Sequence, residues 1–224
     1  MSNYDAALER LIENGYEFKF NQYLNDGFEL FKKNIGGFVG FYFIVFGLSF
    51  SISLVLGDYG SIILNVLQPA LIAGAVLVAN ELYRGNSPDF SMFFQGFKYF
   101  LPLMLLGIVS SLLIIVGLIF LIVPGVYLAI AYSFANMFIL FLGYEFWPAM
   151  ELSRKIITKN WWQFFSFMLL MLAINVAGVL ACGVGVVFAA PITSCMTYCA
   201  FEDIVGGAIR SFSDINSQPI EHQL

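Results

Sequence analysis

Few side chains in this sequence could carry reaction chemistry. His222 is the single histidine, so neither a histidine-based metal site nor a histidine base for a serine or cysteine nucleophile can be assembled within the chain. Cys195 and Cys199 stand four residues apart and share a helix face, the spacing a soft metal would use. With no histidine or carboxylate completing that set, all three cysteines, Cys182 included, are expected as free thiols acting as small packing residues. The glycine-rich stretch from Gly178 to Gly185 lacks the lysine of a phosphate-binding loop, and close helix packing explains it better. Glu81, Glu145, Glu202 and Asp203 fall towards the ends of apolar runs, where water reaches them; a carboxylate near a bilayer centre would instead suggest ion coupling. Glu81, Glu202 and Asp203 are the groups that an enzymatic, lipid-modifying reading would have to use. Asn65, Gln68, Asn136 and Asn175 lie inside apolar runs, where they either join helices by hydrogen bonds or line a pathway, the first role being preferred. The expectation is a protein that is not an enzyme and has no cofactor and no metal.

The elements that hold these residues follow from composition. Of 224 residues, 60% are hydrophobic and 11% charged, against roughly 45–50% and about 25% in ordinary soluble domains. The apolar residues form long unbroken runs that face lipid or one another. The formal charge of −5 and the absence of a clustered Lys/Arg face exclude nucleic-acid binding. The first twenty residues contain Asp5, Glu9, Glu13 and Glu17 and no apolar core of a signal peptide, so a retained amino terminus is expected.

The fold class expected is all-α, a polytopic membrane protein of about six transmembrane helices. Residues 1–19 read as a cytoplasmic polar tail with a helical tendency from Ala6 to Ile12, 20–209 as the transmembrane domain, and 210–224 as a second cytoplasmic polar tail. Phe20, Leu24, Phe28, Phe31 and Ile35 recur at helical spacing opposite Asn25, Asp26, Glu29, Lys32 and Lys33, the pattern of an interfacial amphipathic helix. Apolar runs of about Ile35–Leu56 and Ile62–Leu82 follow, each able to cross a hydrocarbon core of about 30 Å, with Gly57-Asp58-Tyr59-Gly60 as the turn. A second amphipathic stretch gathers Phe90, Phe93, Phe94 and Phe97, capped by Ser87 or Asp89. The apolar sequence from about Phe100 to Phe141 fits two crossings with a turn near Gly117. A third amphipathic stretch runs from Trp147 to Asn160, with Glu151 and Lys155 as an i, i+4 pair. The last apolar region, about Trp161 to Ile204, divides near Cys182-Gly183-Val184-Gly185.

One unit therefore occurs three times, over about 20–84, 85–144 and 145–209: an amphipathic helix, an outgoing span and a returning span. Each returning span carries a proline, Pro69, Pro124 or Pro191, taken as a kink, and Glu81, Asn136 and Asp203 stand at matching distances beyond them. The units start on the same side, which implies parallel repeats about an axis along the membrane normal. All ten Lys and Arg fall on that side. The positive-inside rule then places both termini in the cytoplasm and the chain in a bacterial inner membrane. Tyr83, Tyr99, Tyr144, Trp147, Trp161 and Trp162 mark the same interface. Lys32, Lys33, Arg84, Lys98, Arg154, Lys155 and Lys159 form a collar that either contacts lipid head groups or a partner, or marks topology alone.

Arg84-Gly85 with Ser87-Pro88-Asp89-Phe90-Ser91-Met92-Phe93-Phe94-Gln95-Gly96-Phe97-Lys98, the opening Gly27-Phe28-Glu29-Leu30-Phe31-Lys32-Lys33-Asn34, and Ser153 with Lys159-Asn160-Trp161-Trp162 carry a resemblance. Over about Phe20 to Gly207 the chain resembles an uncharacterised bacterial multi-spanning integral membrane family related to the membrane domain of glycerophosphodiester phosphodiesterases. The resemblance implies membrane architecture and no hydrolysis, because phosphodiesterase activity there belongs to a separate soluble barrel domain. The expected function is a non-enzymatic scaffold or accessory subunit that binds membrane lipids, a protein partner or a second copy through its collar. The alternative is a transporter or channel for a small or lipophilic solute through an axial cavity.

Overall fold

The apolar runs become helices whose bounds are set by local capping, and the computed structural model describes residues 3–181 and 185–217. Helix α1 spans Asn3–Asn14 and α2 Phe20–Lys32. Helix α3, Ile35–Leu56, begins where the Asn34 side chain accepts a hydrogen bond from the Gly37 N–H at 3.0 Å, which satisfies one of the orphan donors of the first turn. Gly57 alone joins it to α4, Asp58–Tyr83, and its φ of +53° lies in the left-handed region that favours glycine. A 3₁₀ helix, Phe90–Tyr99, runs straight into α5, Phe100–Phe120. Then come α6 (Ile122–Ala131), α7 (Ala135–Leu142), α8 (Phe146–Lys159), α9 (Trp161–Leu180) and α10 (Val186–Phe201). A turn of π-helix, Glu202–Gly206, leads into α11, Gly207–Ser217. No strand occurs among the described residues.

Among the described residues five segments are long and apolar enough to cross a membrane: Ile35–Leu56, Val66–Tyr83, Phe90–Phe120, Ile122–Leu142 and Trp161–Leu180. This is one fewer than the six expected. The described part of α10 is 16 residues long, and Cys182, Gly183 and Val184, where the last turn is expected, lie outside the described residues, as does His222.

Burial is concentrated at the end of the bundle that carries the cations. Tyr23, Phe38, Phe93, Phe134, Phe138, Phe164, Phe167 and Tyr198 are fully buried there, whereas Val55, Phe120 and Leu180, at the opposite ends of α3, α5 and α9, are each 80% exposed. Apolar helices gain little by leaving lipid for one another, so their far halves need no mutual cover. Three packings make the buried end: α2 lies against α10, the 3₁₀ helix against α4, and α8 against α6 and α7. Each contact has a small residue at its centre. A Cβ added to Gly27 would fall 2.5 Å from Met196 Cα, one on Gly96 would overlap the Ala70 carbonyl, and Ser153 is wholly buried between α8 and the α6–α7 junction.

Several expectations are corrected. Residues 1–19 are no free polar tail: α1 buries Ala7, Leu8 and Leu11 against α8 and α11. The part of 210–224 up to Ser217 belongs to α11, where Arg10 of α1 stacks 4.8 Å over the Phe212 ring. The stretch after Asp89 is 3₁₀ rather than α, and the Asp89 side chain makes no capping bond. The turn after α5 falls at Leu121, whose extended backbone breaks the helix, and not near Gly117. Pro69 and Pro191 sit inside α4 and α10, but Pro124 occupies the first turn of α6, where no intrahelical N–H is lost and no kink follows.

Candidate functional site

The run from Ile122 to Leu142 does not cross as one helix. It stops at Ala131 and restarts at Ala135, with Tyr132, Ser133 and Phe134 as a turn between. Within the turn Ser133 N–H donates to the Ile130 carbonyl at 3.1 Å and Ala135 N–H to the Tyr132 carbonyl at 3.0 Å. Two further backbone groups are satisfied from α8: Ser153 Oγ donates to the Ala131 carbonyl at 2.6 Å and accepts from the Phe134 N–H at 3.1 Å. Irregular backbone at membrane depth persists only where protein or a water-filled cavity covers it, because each unpaired group costs several kcal/mol. Ser153→Ala, which leaves both groups unpaired, is therefore expected to destabilise the protein by about 2 kcal/mol and lower Tm by about 6 °C. Thermal unfolding in detergent checks this, with Ser153→Thr, which keeps the hydroxyl, as the comparison.

The interruption faces open space. A cavity of about 910 Å³ lies between α4, α5 and the turn, lined by Gln68, Pro69, Ser110, Ser111, Tyr132 and Asn136. A second, of about 460 Å³, lies between the turn, α9 and α10, with Asn175, Thr193, Ser194 and Thr197 in its wall. Ile72, Ser133 and Asn136 belong to both linings, and no charged side chain lines either one. Most polar groups here are already bonded. Asn175 Nδ2 donates to the Met171 carbonyl at 2.8 Å and to Thr193 Oγ1 at 3.3 Å, which joins α9 to α10 as expected of that residue. Tyr42 OH and Ser194 Oγ are 3.2 Å apart, and Tyr198 OH donates to Asn80 Oδ1 at 2.9 Å. Asn136 differs: its Oδ1 is buried and has no partner.

The carboxylates thought to lie at span ends are tied to other polar groups. Asp203 accepts from Lys19 Nζ at 3.0 Å and from Tyr23 OH at 2.8 Å, and this carboxylate holds the Lys19 ammonium above the usual lysine range. Glu81 accepts from Asn86 Nδ2 at 2.6 Å, and Glu202 pairs with Arg210. Cys195 and Cys199 are buried free thiols. Among the described residues no group of three or more His, Cys, Asp or Glu side chains is placed to hold a metal.

The collar cations are partly occupied. Arg154 gives two N–H bonds to Glu151, at 2.9 and 2.7 Å, and Lys155 reaches the same carboxylate at 3.6 Å. Lys32 pairs with Glu29, and Lys33 donates to the Leu82 carbonyl at the end of α4 at 3.3 Å. Arg84, Lys98 and Lys159 meet no carboxylate of the described residues at ion-pair distance. Among the described residues, fourteen Asp and Glu less Asp58 at the start of α4 leaves thirteen carboxylates against ten cations at this end by sequence position. Its net charge is thus negative, and attraction to anionic lipid would have to be local.

The Arg154 hydrogen bonds hold the Glu151 carboxyl below its ordinary value of 4.5. Its contribution is therefore present above that pH and lost as pH falls through the lower folded value. Because the pair is about 40% exposed, Glu151→Gln is expected to cost under about 1 kcal/mol at pH 7. The difference between the two proteins in a pH series of Tm should shrink as pH falls below 4.5 and vanish once pH is below the lowered folded value.

No protein family, no curated protein and no solved structure matches this chain. The interruption at Tyr132–Phe134 and the role of Ser153 were not foreseen. One signal for them was present: Ser153 shares the helix face of Ala149 and Ile156, and a hydroxyl on an otherwise apolar face needs a partner when buried.

Proposed function

We propose that this is a multi-pass membrane protein that binds a small lipophilic solute in the cavity beside the α6–α7 interruption and passes it between the bilayer and the basic end. One observation carries the reading: an apolar span, broken where the basic helix α8 covers it, opens beside a space whose wall includes uncharged polar groups. Broken helices with their freed backbone covered by neighbouring elements are the usual construction of intramembrane solute sites.

Parallel triplication is part of the proposal. Gly27, Gly96 and Ser153 occupy corresponding places in the three units, and each seats its element on the returning span of the preceding unit, the first on the last. Gly74 and Met196, which meet Gly96 and Gly27, both lie five residues after the proline of their spans. A ring of this kind favours three hairpins, with α10 as the sixth span. With all ten cations at one end, the positive-inside rule orients that end to the cytoplasm of a bacterial inner membrane. Cysteines replacing Lys98 and Lys155 are expected to react with a membrane-impermeant maleimide only in inside-out vesicles; labelling of the two from opposite sides would overturn the arrangement.

The solute-binding reading is tested on the full chain in lipid nanodiscs with a diazirine-bearing hexadecyl probe. Cross-links are expected to concentrate on residues 103–115 and 132–136, and Ser111→Trp, which fills the cavity, should reduce them at least fivefold. Uniform labelling of every lipid-facing helix, unchanged by Ser111→Trp, would overturn it. A non-enzymatic scaffold stands as the second reading, favoured by Arg84, Lys98 and Lys159, which pair with no carboxylate of the described residues. Its measure is vesicle co-flotation of a soluble partner, lost on replacing these three by Gln.

A further inference from the structure

We infer that the protein thins the bilayer along the flank where α8 lies on α6, and that this flank prefers lipids with short acyl chains. The inference goes beyond solute binding and does not rest on it.

Both ends of α6 need a polar surrounding. At its start, among the described residues, one backbone bond closes the turn, from Leu121 N–H to the Gly117 carbonyl at 3.0 Å, and Leu121 supplies no side-chain cap. The first N–H groups of α6 and the last carbonyls of α5 have no intrahelical partner, and lipid tails cannot satisfy them. The other end of α6 is covered by α8, which carries Glu151, Arg154, Lys155 and Lys159. Ser153 Oγ meets the Ala131 carbonyl at 2.6 Å, and Thr158 Oγ1 stands 2.8 Å from Tyr127 OH. The charged helix thus runs along α6 from Ala131 to within six residues of the turn. Lys155 and Lys159 are exposed on it, and charged groups stay out of hydrocarbon.

Little chain separates these two polar levels. Helix α6 has 10 residues, a rise of about 15 Å. Extension of the Arg and Lys stems towards water adds a few ångström, which leaves the distance well short of a hydrocarbon core of about 30 Å. The other arm of the same hairpin is not short. Helix α5 starts two residues after Lys98 and has 21 residues, a rise of about 31 Å. The two arms end level, because a Cβ on Gly117 would lie 3.0 Å from Gly125 Cα beside the turn. The difference therefore arises at the basic end, where α8 sits lower on α6 than Lys98 does on α5.

Aromatic residues mark a boundary at the same height as α8. The Tyr127 and Trp161 ring centroids are 6.3 Å apart, Trp161 lies edge-on to Trp162 at 4.8 Å, and Trp162 is exposed. Tyr and Trp gather at membrane–water interfaces, and this group stands only about 9 Å along α6 from Leu121. A bilayer meets an apolar surface shorter than itself by thinning, and short acyl chains reduce the cost of doing so.

Fluorescence of the unaltered full chain in vesicles tests this, because Trp147, Trp161 and Trp162 lie in α8 or directly after it. Quenching by brominated dioleoyl phosphatidylcholine is competed with dimyristoleoyl, dioleoyl and dierucoyl phosphatidylcholine. The shortest lipid is expected to relieve quenching at least about threefold more effectively than the longest; an optimum at dioleoyl or dierucoyl overturns the inference. Leu101→Trp, combined with Trp147→Phe, Trp161→Phe and Trp162→Phe, reports on the α5 arm, where dioleoyl should compete best. A short-chain optimum there as well would make the whole protein thin and overturn the one-sided effect. Leu121→Cys, in a chain carrying Cys182→Ser, is expected to react with an impermeant maleimide from the side opposite Lys98. Reaction from neither side would place the turn inside the hydrocarbon, where no thinning is needed, and would also overturn it. Loss of cross-linking to the hexadecyl probe leaves all these results unchanged, so this inference and the solute-binding reading fail separately.

Discussion

Gly74→Leu is expected to prevent the protein from folding, giving no monodisperse peak in fluorescence-detected size exclusion, and Gly74→Ala to lower Tm by at least about 10 °C. The reason is a reciprocal backbone contact. A Cβ on Gly74 would overlap the Phe93 carbonyl, and a Cβ on Gly96 would overlap the Ala70 carbonyl and come within 2.7 Å of Gly74 N. The obstacles are main-chain atoms of two helices, which cannot rotate away as a side-chain end can. Nor can the 3₁₀ helix retreat. Phe93 is fully buried, stacked on Phe41 at 4.7 Å and edge-on to Phe38 at 5.3 Å, so relief would empty an aromatic core that costs about 3–5 kcal/mol for one Phe alone. Gly47→Leu is the control. Gly47 lies in α3 with nothing within 4 Å of its added Cβ, and its substitution should leave Tm within about 2 °C. Equal stability of the two leucine variants would show that α4 and the 3₁₀ helix are not in backbone contact.

That contact also shows which parts of the fold were readable from sequence. The apolar runs specify helices unaided, since no other secondary structure satisfies the backbone within one segment in hydrocarbon, and of the expected turn Gly57-Asp58-Tyr59-Gly60 only Gly57 lies outside a helix, the other three beginning α4. Glycine was ambiguous elsewhere. Gly117 looked like a turn and is instead a packing residue: its Cβ would lie 3.0 Å from Gly125 Cα, where α5 and α6 cross. Gly178, read as a packing residue, meets Gly185 in the same manner. The local sequence is the same in both uses, and the partner helix decides between them. The α6–α7 interruption was illegible for a related reason. Tyr132-Ser133-Phe134 contains neither Gly nor Pro, and what permits the break is the hydroxyl of Ser153, twenty residues away. Of the candidate site, Asn136 was visible as a polar residue within an apolar run. That its oxygen would lack a partner depends on where Ser133, Thr193 and Asn175 turn their own donors, which no spacing in the chain records.

Removal of residues 1–18 is expected to lower Tm by about 10 °C, and to do so without moving the cavity labelling. Mean polarity hid this segment, because Asp5, Glu9, Arg10 and Glu13 surround only a few apolar residues. Those few are well used: Leu8 is 1% and Leu11 8% exposed, and Phe18 packs edge-on against Phe164 at 4.7 Å and Tyr23 at 5.0 Å. Burying three such side chains contributes roughly 5–9 kcal/mol before the entropy of ordering the segment is subtracted, and a net of about 3–4 kcal/mol corresponds to the stated shift. Hydrogen bonds add to it. Tyr16 OH donates to the Ile156 carbonyl at 3.0 Å, and Asn160 Nδ2 to the Tyr16 carbonyl at 2.8 Å, so the segment crosses the junction of α8 and α9. Burial pushes the Tyr16 phenol above its ordinary range, which keeps it a neutral donor to that carbonyl across the working pH range. Tyr16→Phe separates the two contributions: losing the bond while keeping the ring should account for about 1 kcal/mol, roughly 3 °C. If the truncated chain unfolded at the same temperature as the full one, the first helix would be a passenger on the bundle, and the buried faces of Phe164 and Phe167 would need another cover.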